Sequence, residues 1–325
     1  MKFLPDDVYL GDARELSKHL GRESVALSVW SPPYHVGKAY ERGMSFRDWQ
    51  ELLGRVIAEH AVLLRPGAFL AVNIADILCL KDSSMPRLMG ENVARRRRAE
   101  ITPELVAQAW SKHPGLSRKG IARVLGCSEQ TVDRRMKGNN IRGGKYATQT
   151  RVKLVGGLIE ELALEAGLYL YDRRIWVKDA AWENSRWHSV SYRAVDEFEY
   201  VFVLWKPGPT RIDKARLSRD EWIAWGSRAV WNIPSVRAND DHEAKFPLEL
   251  PRRLIRLFTD PGDLVIDCFA GSGTSGVAAV GLGRRFVGVD IVQKYVALAR
   301  RKLRSALHER ARASLEPFGE LQRVA

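Results

Sequence analysis

At 325 residues the chain is long enough for one large α/β domain carrying an inserted module, and 52 Lys and Arg against 39 Asp and Glu leave a net charge of +13. Such an excess favours a polyanionic partner. Three scattered cysteines (Cys79, Cys127, Cys268) give neither a disulfide framework nor zinc-ligand spacing, no apolar run is long enough to cross a bilayer, and the opening Met1-Lys2-Phe3-Leu4-Pro5 is not a signal peptide; a cytoplasmic protein without metal or membrane contact is expected.

Val25–Trp30 is a short apolar run that ends at Ser31-Pro32-Pro33, which reads as a buried strand feeding a loop. Ser45 offers an N-cap, and Trp49, Leu52, Leu53, Val56 and Ile57 recur at helical spacing until Arg65-Pro66-Gly67. Ala68–Ile74 is the next buried strand. Strand, loop, helix, strand in this order predicts a parallel sheet with crossover helices.

Between about Leu80 and Thr150 the pattern breaks. Residues 81–150 hold fifteen Lys and Arg against six Asp and Glu, a net of +9, and the run Arg95-Arg96-Arg97-Arg98 reads on its own as a solvated loop. Within this stretch Thr102-Pro103-Glu104 caps one helix, Ser117 begins a second and Ser128 caps a third that ends at Gly138. Ala122, Gly126 and Val132 are spaced as in a helix-turn-helix: a small residue at the crossing, Gly in the turn, a β-branched residue in the core. Glu129, Gln130, Asp133, Arg134 and Arg135 are then expected to face outward. Gln130, Arg134 and Arg135 are the candidate DNA-binding residues, types suited to base edges and phosphates. The competing reading is a small helical lid.

The α/β pattern resumes near Lys153. A helix over Leu154–Ala166 and strands over Leu168–Val177 and Phe198–Trp205 are predicted. Seven of the ten tryptophans lie between Trp176 and Trp231, a cluster better explained by core packing around a hairpin than by a stacking surface. Then come a helix over Pro247–Phe258, a strand over Leu264–Cys268, a glycine loop, a helix containing Val277–Val280, a strand over Phe286–Val289 and a basic amphipathic helix from Val292 to about Arg310.

Strand, Gly271-Ser272-Gly273, helix and a strand ending in Asp290 is the layout of a nucleoside-binding βαβ unit. Asp290 follows Gly273 by 17 residues, near the position of an acidic residue that takes ribose hydroxyls. The spacing Gly271-x-Gly273-x-x-Gly276 also matches a dinucleotide fingerprint, so the glycines alone leave the cofactor open.

A second motif decides it. Ser31-Pro32-Pro33-Tyr34 resembles the catalytic motif of the S-adenosylmethionine-dependent DNA amino-methyltransferases, and Asp267-Cys268-Phe269-Ala270-Gly271-Ser272-Gly273-Thr274 resembles their cofactor motif. Catalytic motif first and cofactor motif last is the order of the family's circularly permuted β group. The resemblance runs from Gly11-Asp12-Ala13 to Asp290, apart from the basic insert. It implies an α/β, Rossmann-like fold: a mostly parallel sheet with one antiparallel hairpin, circularly permuted, with the helix-turn-helix inserted.

The resemblance also implies roles. Ser31 and the Pro32 carbonyl hold the target amine, Pro32 and Pro33 fix the loop, and Tyr34 stacks on a base flipped out of duplex DNA. Asp290 binds the cofactor ribose and Asp12 its adenine, with Asp267, Phe269, Ala270, Gly271, Ser272, Gly273 and Thr274 forming the rest of the S-adenosyl-L-methionine site. Pulling an amino nitrogen toward sp³ frees its lone pair for in-line attack on the sulfonium methyl. Ser in the first motif position goes with N4 of cytosine, Asp or Asn with N6 of adenine. The family often has Asn where this chain has His35. No Pro-Cys dipeptide exists, against covalent attack at cytosine C5.

The expected organisation is therefore residues 1–80 as the catalytic half, 81–150 as the DNA-binding insert, and 151–325 as the remainder with the cofactor motif. Segment 206–240 is a second candidate for target recognition. The expected function is cytosine-N4 methylation of double-stranded DNA, with adenine N6 second and a cognate restriction endonuclease as a further partner in the host. A DNA-binding regulator with a vestigial methyltransferase domain, or methylation of RNA or protein, are the competing readings. The oligomeric state is left open.

Overall fold

Short β-branched runs alternating with amphipathic helices build one eight-stranded sheet in this computed structural model, which describes residues 2–35, 41, 43–91, 100–138, 145–179, 194, 196–236 and 246–315. The arginine run Arg95–Arg98, together with Trp182 and Trp187 of the tryptophan cluster, lies outside the described residues. The chain divides into two units: residues 1–78, 152–180 and 197–325 form the first, and the second is built around Cys79–Arg151.

The first unit contains β1 (Asp7–Leu10), β2 (Val25–Trp30), α1 (Phe46–Leu63) and β3 (Leu64–Ile74). After the second unit the chain returns as α5 (Gly156–Glu165), β8 (Tyr169–Val177), β9 (Phe198–Trp205) and β10 (Val230–Asn232). It closes with α6 (Glu249–Phe258), β11 (Leu264–Asp267), α7 (Thr274–Gly281), β12 (Arg285–Asp290) and α8 (Gln293–Leu315). The strand order is β1-β12-β11-β2-β3-β9-β8-β10. All neighbours run parallel except β9, which is antiparallel to both β3 and β8.

Every residue of β2 is buried, as a strand covered by helices on both faces requires. Helix α1 covers it with Trp49, Leu53, Val56, Ile57 and Leu63, and starts at a capping box in which Ser45 and Asp48 satisfy each other's backbone N–H groups. His60 of α1 is also fully buried. Its Nδ1 donates to the Val56 carbonyl at 2.6 Å, and burial pushes its pKa down to about 4.

The strand β11 continues through α7 to β12 on one side, while β2 continues through α1 to β3 on the other. Between β11 and β2 the crossovers therefore depart in opposite directions. A sheet opens a crevice there, outside the carboxyl ends of its strands.

Of the tryptophans, Trp176, Trp225 and Trp231 are buried in the main core and Trp205 and Trp222 pack against it. Two strands are too short to show a pattern in the sequence: β1 buries only Val8 and Tyr9, and β10 only Trp231.

The chain crosses between the units through β4 (Ile77–Lys81) and β7 (Thr150–Lys153), which pair with each other. The second unit contains β5 (Leu88–Glu91) paired antiparallel with β6 (Lys145–Thr148), and the helices α2 (Pro103–Lys112), α3 (Arg118–Val124) and α4 (Glu129–Met136). Thr102, Ser117 and Ser128 cap the three helices through their side chains, at the positions expected. Val106, Ala109, Ile121, Ala122 and Val132 form the core, and Gly126 makes the turn at φ +62°.

Arg135 does not face outward: it is 1% exposed, and its Nε donates to the Ile101 carbonyl at 2.5 Å. Thr131 and Val132 are the buried residues of this helix, and Arg135 lies four and three positions beyond them on the same face. Glu129, Gln130 and Arg134 are exposed, while Asp133 is half-buried and ion-paired with Arg118 and Lys137. Replacing Arg135 by Ala leaves the Ile101 carbonyl short of a donor, at a cost of about 2 kcal/mol. Hydrogen exchange should show α2–α4 opening more readily in Arg135→Ala and unchanged in Arg134→Ala.

Candidate functional site

The loops after β11 and β2 face the crevice at the centre of the sheet. In the first, Gly271 and Gly273 both take positive φ, +48° and +82°. Gly273 is the N-cap of α7, and a Cβ on it would come within 2.9 Å of the Ala299 backbone, so only glycine lets the chain turn there. Gly276 serves packing: a Cβ would meet the Phe286 ring at 2.7 Å, which is how closely α7 lies on β12.

Two carboxylates hold this loop. Asp290, at the end of β12, accepts from Gly271 N and Val292 N, both at 2.8 Å. Asp267, at the end of β11, is 1% exposed and accepts from Phe269 N at 3.0 Å and Ser275 Oγ at 2.6 Å. Burial is the main reason its pKa is pushed up to about 7; the Asp290 charge adds to it and the two hydrogen bonds oppose it. Asp267 therefore braces the loop from beneath rather than presenting an oxygen to a ligand. Ser272 and Thr274 hydroxyls lie 3.1 Å apart, and Ala270 N donates to Val289 O.

Asp12 follows the next strand over, β1: Gly11 N donates to the Asp290 carbonyl, which sets the end of β1 beside the end of β12. Its carboxylate caps a short 3₁₀ turn at Arg14 N and pairs with the Arg14 side chain. That guanidinium holds the Asp12 carboxyl below the usual range.

The second loop carries Ser31-Pro32-Pro33-Tyr34. The Pro33 carbonyl accepts from Trp49 Nε1 at 2.6 Å, fastening the loop to α1. Ser31 Oγ donates to the Tyr34 hydroxyl at 2.9 Å. Tyr34 is in turn held by Glu199 Oε2 at 2.6 Å and by Asn73 Nδ2 at 2.8 Å. Trp30, the last residue of β2, meets Phe269 edge-on with ring centres 5.4 Å apart, so the two loops touch through these rings.

His35 occupies φ +55°, its N–H donates to the buried Glu41 carboxylate, and its ring lies against Phe46 and Trp49. Asn and His are among the few residues that tolerate such a φ, which accounts for finding either at this position.

Motif spacing finds Ser31, Tyr34, Phe269, Gly271, Gly273 and Asp290, and the fold brings them to the carboxyl ends of the neighbouring central strands β2, β11 and β12. It misses Glu199, Asn73 and Trp49, which hold the Ser31–Tyr34 loop from β9, β3 and α1, Lys178 at the end of β8, which pairs with Glu199, and Glu41 ahead of α1, which holds His35. One signal was present: Glu199 is the only charge in the run Phe198–Trp205.

The N6/N4 methyltransferase family model, described as DNA methylase, matches residues 25–301. Type II methyltransferase M.BglI of Bacillus subtilis is 56% identical over 293 residues, covering 90% of this chain and 84% of that protein. The structure of TTHA0409 from Thermus thermophilus, complexed with S-adenosyl-L-methionine, is 26% identical with a TM-score of 0.58, covering 93% of this chain and 94% of that one. The cytosine-N4-specific PvuII DNA methyltransferase shares the fold, with 17% identity, a TM-score of 0.58 and coverage of 95% and 93%.

Two outcomes test the loop. Asp267 holds its proton to about 7 when folded, against an ordinary value of 3.8, so it gives up stability as pH rises from about 4 to 7. His60 acts oppositely, losing stability as pH falls from about 6.5 to 4. The urea midpoint of Asp267→Asn minus that of the parent should therefore grow with pH across about 4–7, the His60 contribution cancelling in the difference. Gly273→Ala, forced to positive φ against the Ala299 backbone, should lose about 1–3 kcal/mol of stability by the same measurement.

Proposed function

The chain belongs to the N6/N4 DNA methylase family, and on that premise we propose that it methylates N4 of cytosine in duplex DNA. It is a DNA methyltransferase, and its methyl donor is S-adenosyl-L-methionine. The residues present fit that cofactor: the backbone turns tightly at Gly271 and Gly273, both at positive φ, and Asp290 stands beside the turn. Asp290 accepts the Gly271 and Val292 N–H groups, which sets its carboxylate at the turn where the ribose hydroxyls would lie. The sulfonium supplies an activated methyl group and a neutral leaving group.

The protein's own contribution is position. Ser31 and the Pro32 carbonyl receive the hydrogens of the target amine and draw its nitrogen toward sp³. Trp49 holds the Pro33 carbonyl, so the loop presents one shape before the base arrives. Tyr34 lies beside the extruded base with its hydroxyl anchored behind it. Asp12, tied to Arg14, borders the adenine end of the cofactor.

The observation that carries the choice of base is Ser31 in the first motif position at the end of β2. A neutral hydroxyl there goes with cytosine N4 in this family, whereas a carboxylate or amide goes with adenine N6. We further assign DNA contact to the helices of the insert, with Gln130 and Arg134 exposed on α4 and the chain's charge excess concentrated in this segment. A restriction endonuclease of the same specificity is the proposed partner in the host, in keeping with the similarity to M.BglI.

Digestion of DNA methylated by the protein, followed by mass spectrometry, should yield N4-methylcytosine; N6-methyladenine alone would contradict the base assignment. Ser31→Ala should slow methyl transfer at least about 10²-fold. Gln130→Ala with Arg134→Ala should weaken DNA binding, and loss of the arginine should reduce the slope of log affinity against log salt by about one. Unchanged affinity and slope would make the insert a scaffold.

A further inference from the structure

Strand β9 delivers a carboxylate to the catalytic loop that belongs to neither motif. Glu199 is 9% exposed, and both of its oxygens are engaged. Oε1 takes Lys178 Nζ at 2.7 Å, while Oε2 accepts from the Tyr34 hydroxyl at 2.6 Å and from Asn73 Nδ2 at 2.7 Å. A carboxylate ion-paired with an ammonium only accepts, and at 2.6 Å it takes the single hydrogen of Tyr34 in preference to the Asn73 carbonyl at 3.3 Å.

That commitment travels outward along the chain of hydroxyls. The Tyr34 oxygen has two lone pairs, which receive Asn73 Nδ2 at 2.8 Å and Ser31 Oγ at 2.9 Å. Ser31 thereby spends its only hydrogen inward. Toward a base in front of it, Ser31 offers lone pairs alone. An amino group, with two hydrogens to give, satisfies it; a carbonyl oxygen or an unprotonated ring nitrogen sets lone pair against lone pair.

We propose that Glu199 is a positioning residue for methyl transfer, which fixes the direction of the chain Ser31–Tyr34–Glu199 and receives the proton that the target amine loses. As the amine attacks, the nitrogen–carbon bond forms, and the electron pair of the breaking carbon–sulfur bond stays on sulfur. The nitrogen is left cationic with one hydrogen too many. It gives that proton to Ser31 Oγ as Ser31 passes its own to the Tyr34 oxygen and Tyr34 passes its own to Glu199. Glu199 becomes a neutral acid and returns the proton to water before the next turnover. The proposal rests on transfer to an exocyclic amine and is the same for N4 of cytosine and N6 of adenine.

The test is a double-mutant cycle on single-turnover methyl transfer, with S-adenosyl-L-methionine and duplex DNA saturating. Glu199→Gln keeps the shape and an acceptor oxygen but cannot take up the proton; Tyr34→Phe keeps the ring but cuts the chain. Each should slow transfer about 10²-fold with the KM of both substrates unchanged, and the double variant should be no slower than the slower single one. A wild-type rate in either variant, or losses that multiply in the double variant, would overturn the proposal. Melting curves verify folding. If Glu199→Gln does not fold, Tyr34→Phe decides alone: loss of kcat at unchanged KM supports the relay, and a wild-type rate contradicts it. Which base is methylated does not enter these rates, so a failed relay is distinguishable from a mistaken base assignment.

Discussion

Between β2 and β11 the connections of the sheet part in opposite directions, and the arrangement of the site follows from that reversal. Two strands that lie side by side must share the space beyond their carboxyl ends, yet the helices that would fill it leave on opposite sides. The loops after these strands are consequently drawn together over a gap. One loop is rich in glycine and turns tightly, leaving room for a nucleoside. The other is stiffened by two prolines and pinned by Trp49. Trp30 and Phe269, the rings where the strands end, meet edge to face and keep the loops in contact. The chain reaches these two strands in the order opposite to that of an unpermuted sheet, which leaves their adjacency unchanged.

Polar groups placed under this apolar centre are each given partners. Asp267 is buried with two donors on its oxygens, and Glu199 with three. Buried carboxylates are costly unless satisfied, so such groups stiffen the loops they touch. The two differ in consequence. Asp267 has its proton held up to about 7 by burial and acts beneath the cofactor loop. Glu199 sits against Lys178 and determines which way the hydroxyls of Tyr34 and Ser31 point.

Much of this was legible in the residues themselves. The two motifs, their order, the alternating strands and helices, and the three serine and threonine caps of the insert all depend on local chemistry, and they appear where the sequence places them. What escaped has physical causes. Strands of three or four residues, such as β1 and β10, show no alternation, because only one or two of their side chains are buried. The supports of the catalytic loop come from β3, β8, β9 and α1, which no local pattern can bring together. Arg135 reads as a surface residue by its charge, whereas its spacing from Thr131 and Val132 puts it on the buried face; helical periodicity outweighs residue type there. Glu199 was readable only as an anomaly, one charge in an apolar strand.

In the proposed reaction Ser31 meets an amino group as an acceptor, beside a methyl donor held over Gly271 and Gly273. A crystal structure of the protein with S-adenosylhomocysteine and its substrate duplex measures this directly. The expected result is a cytosine turned out of the helix, with its N4 nitrogen about 2.6–3.2 Å from Ser31 Oγ and in line with the sulfur. A base left stacked in the duplex, or one presenting a carbonyl to Ser31, would contradict it.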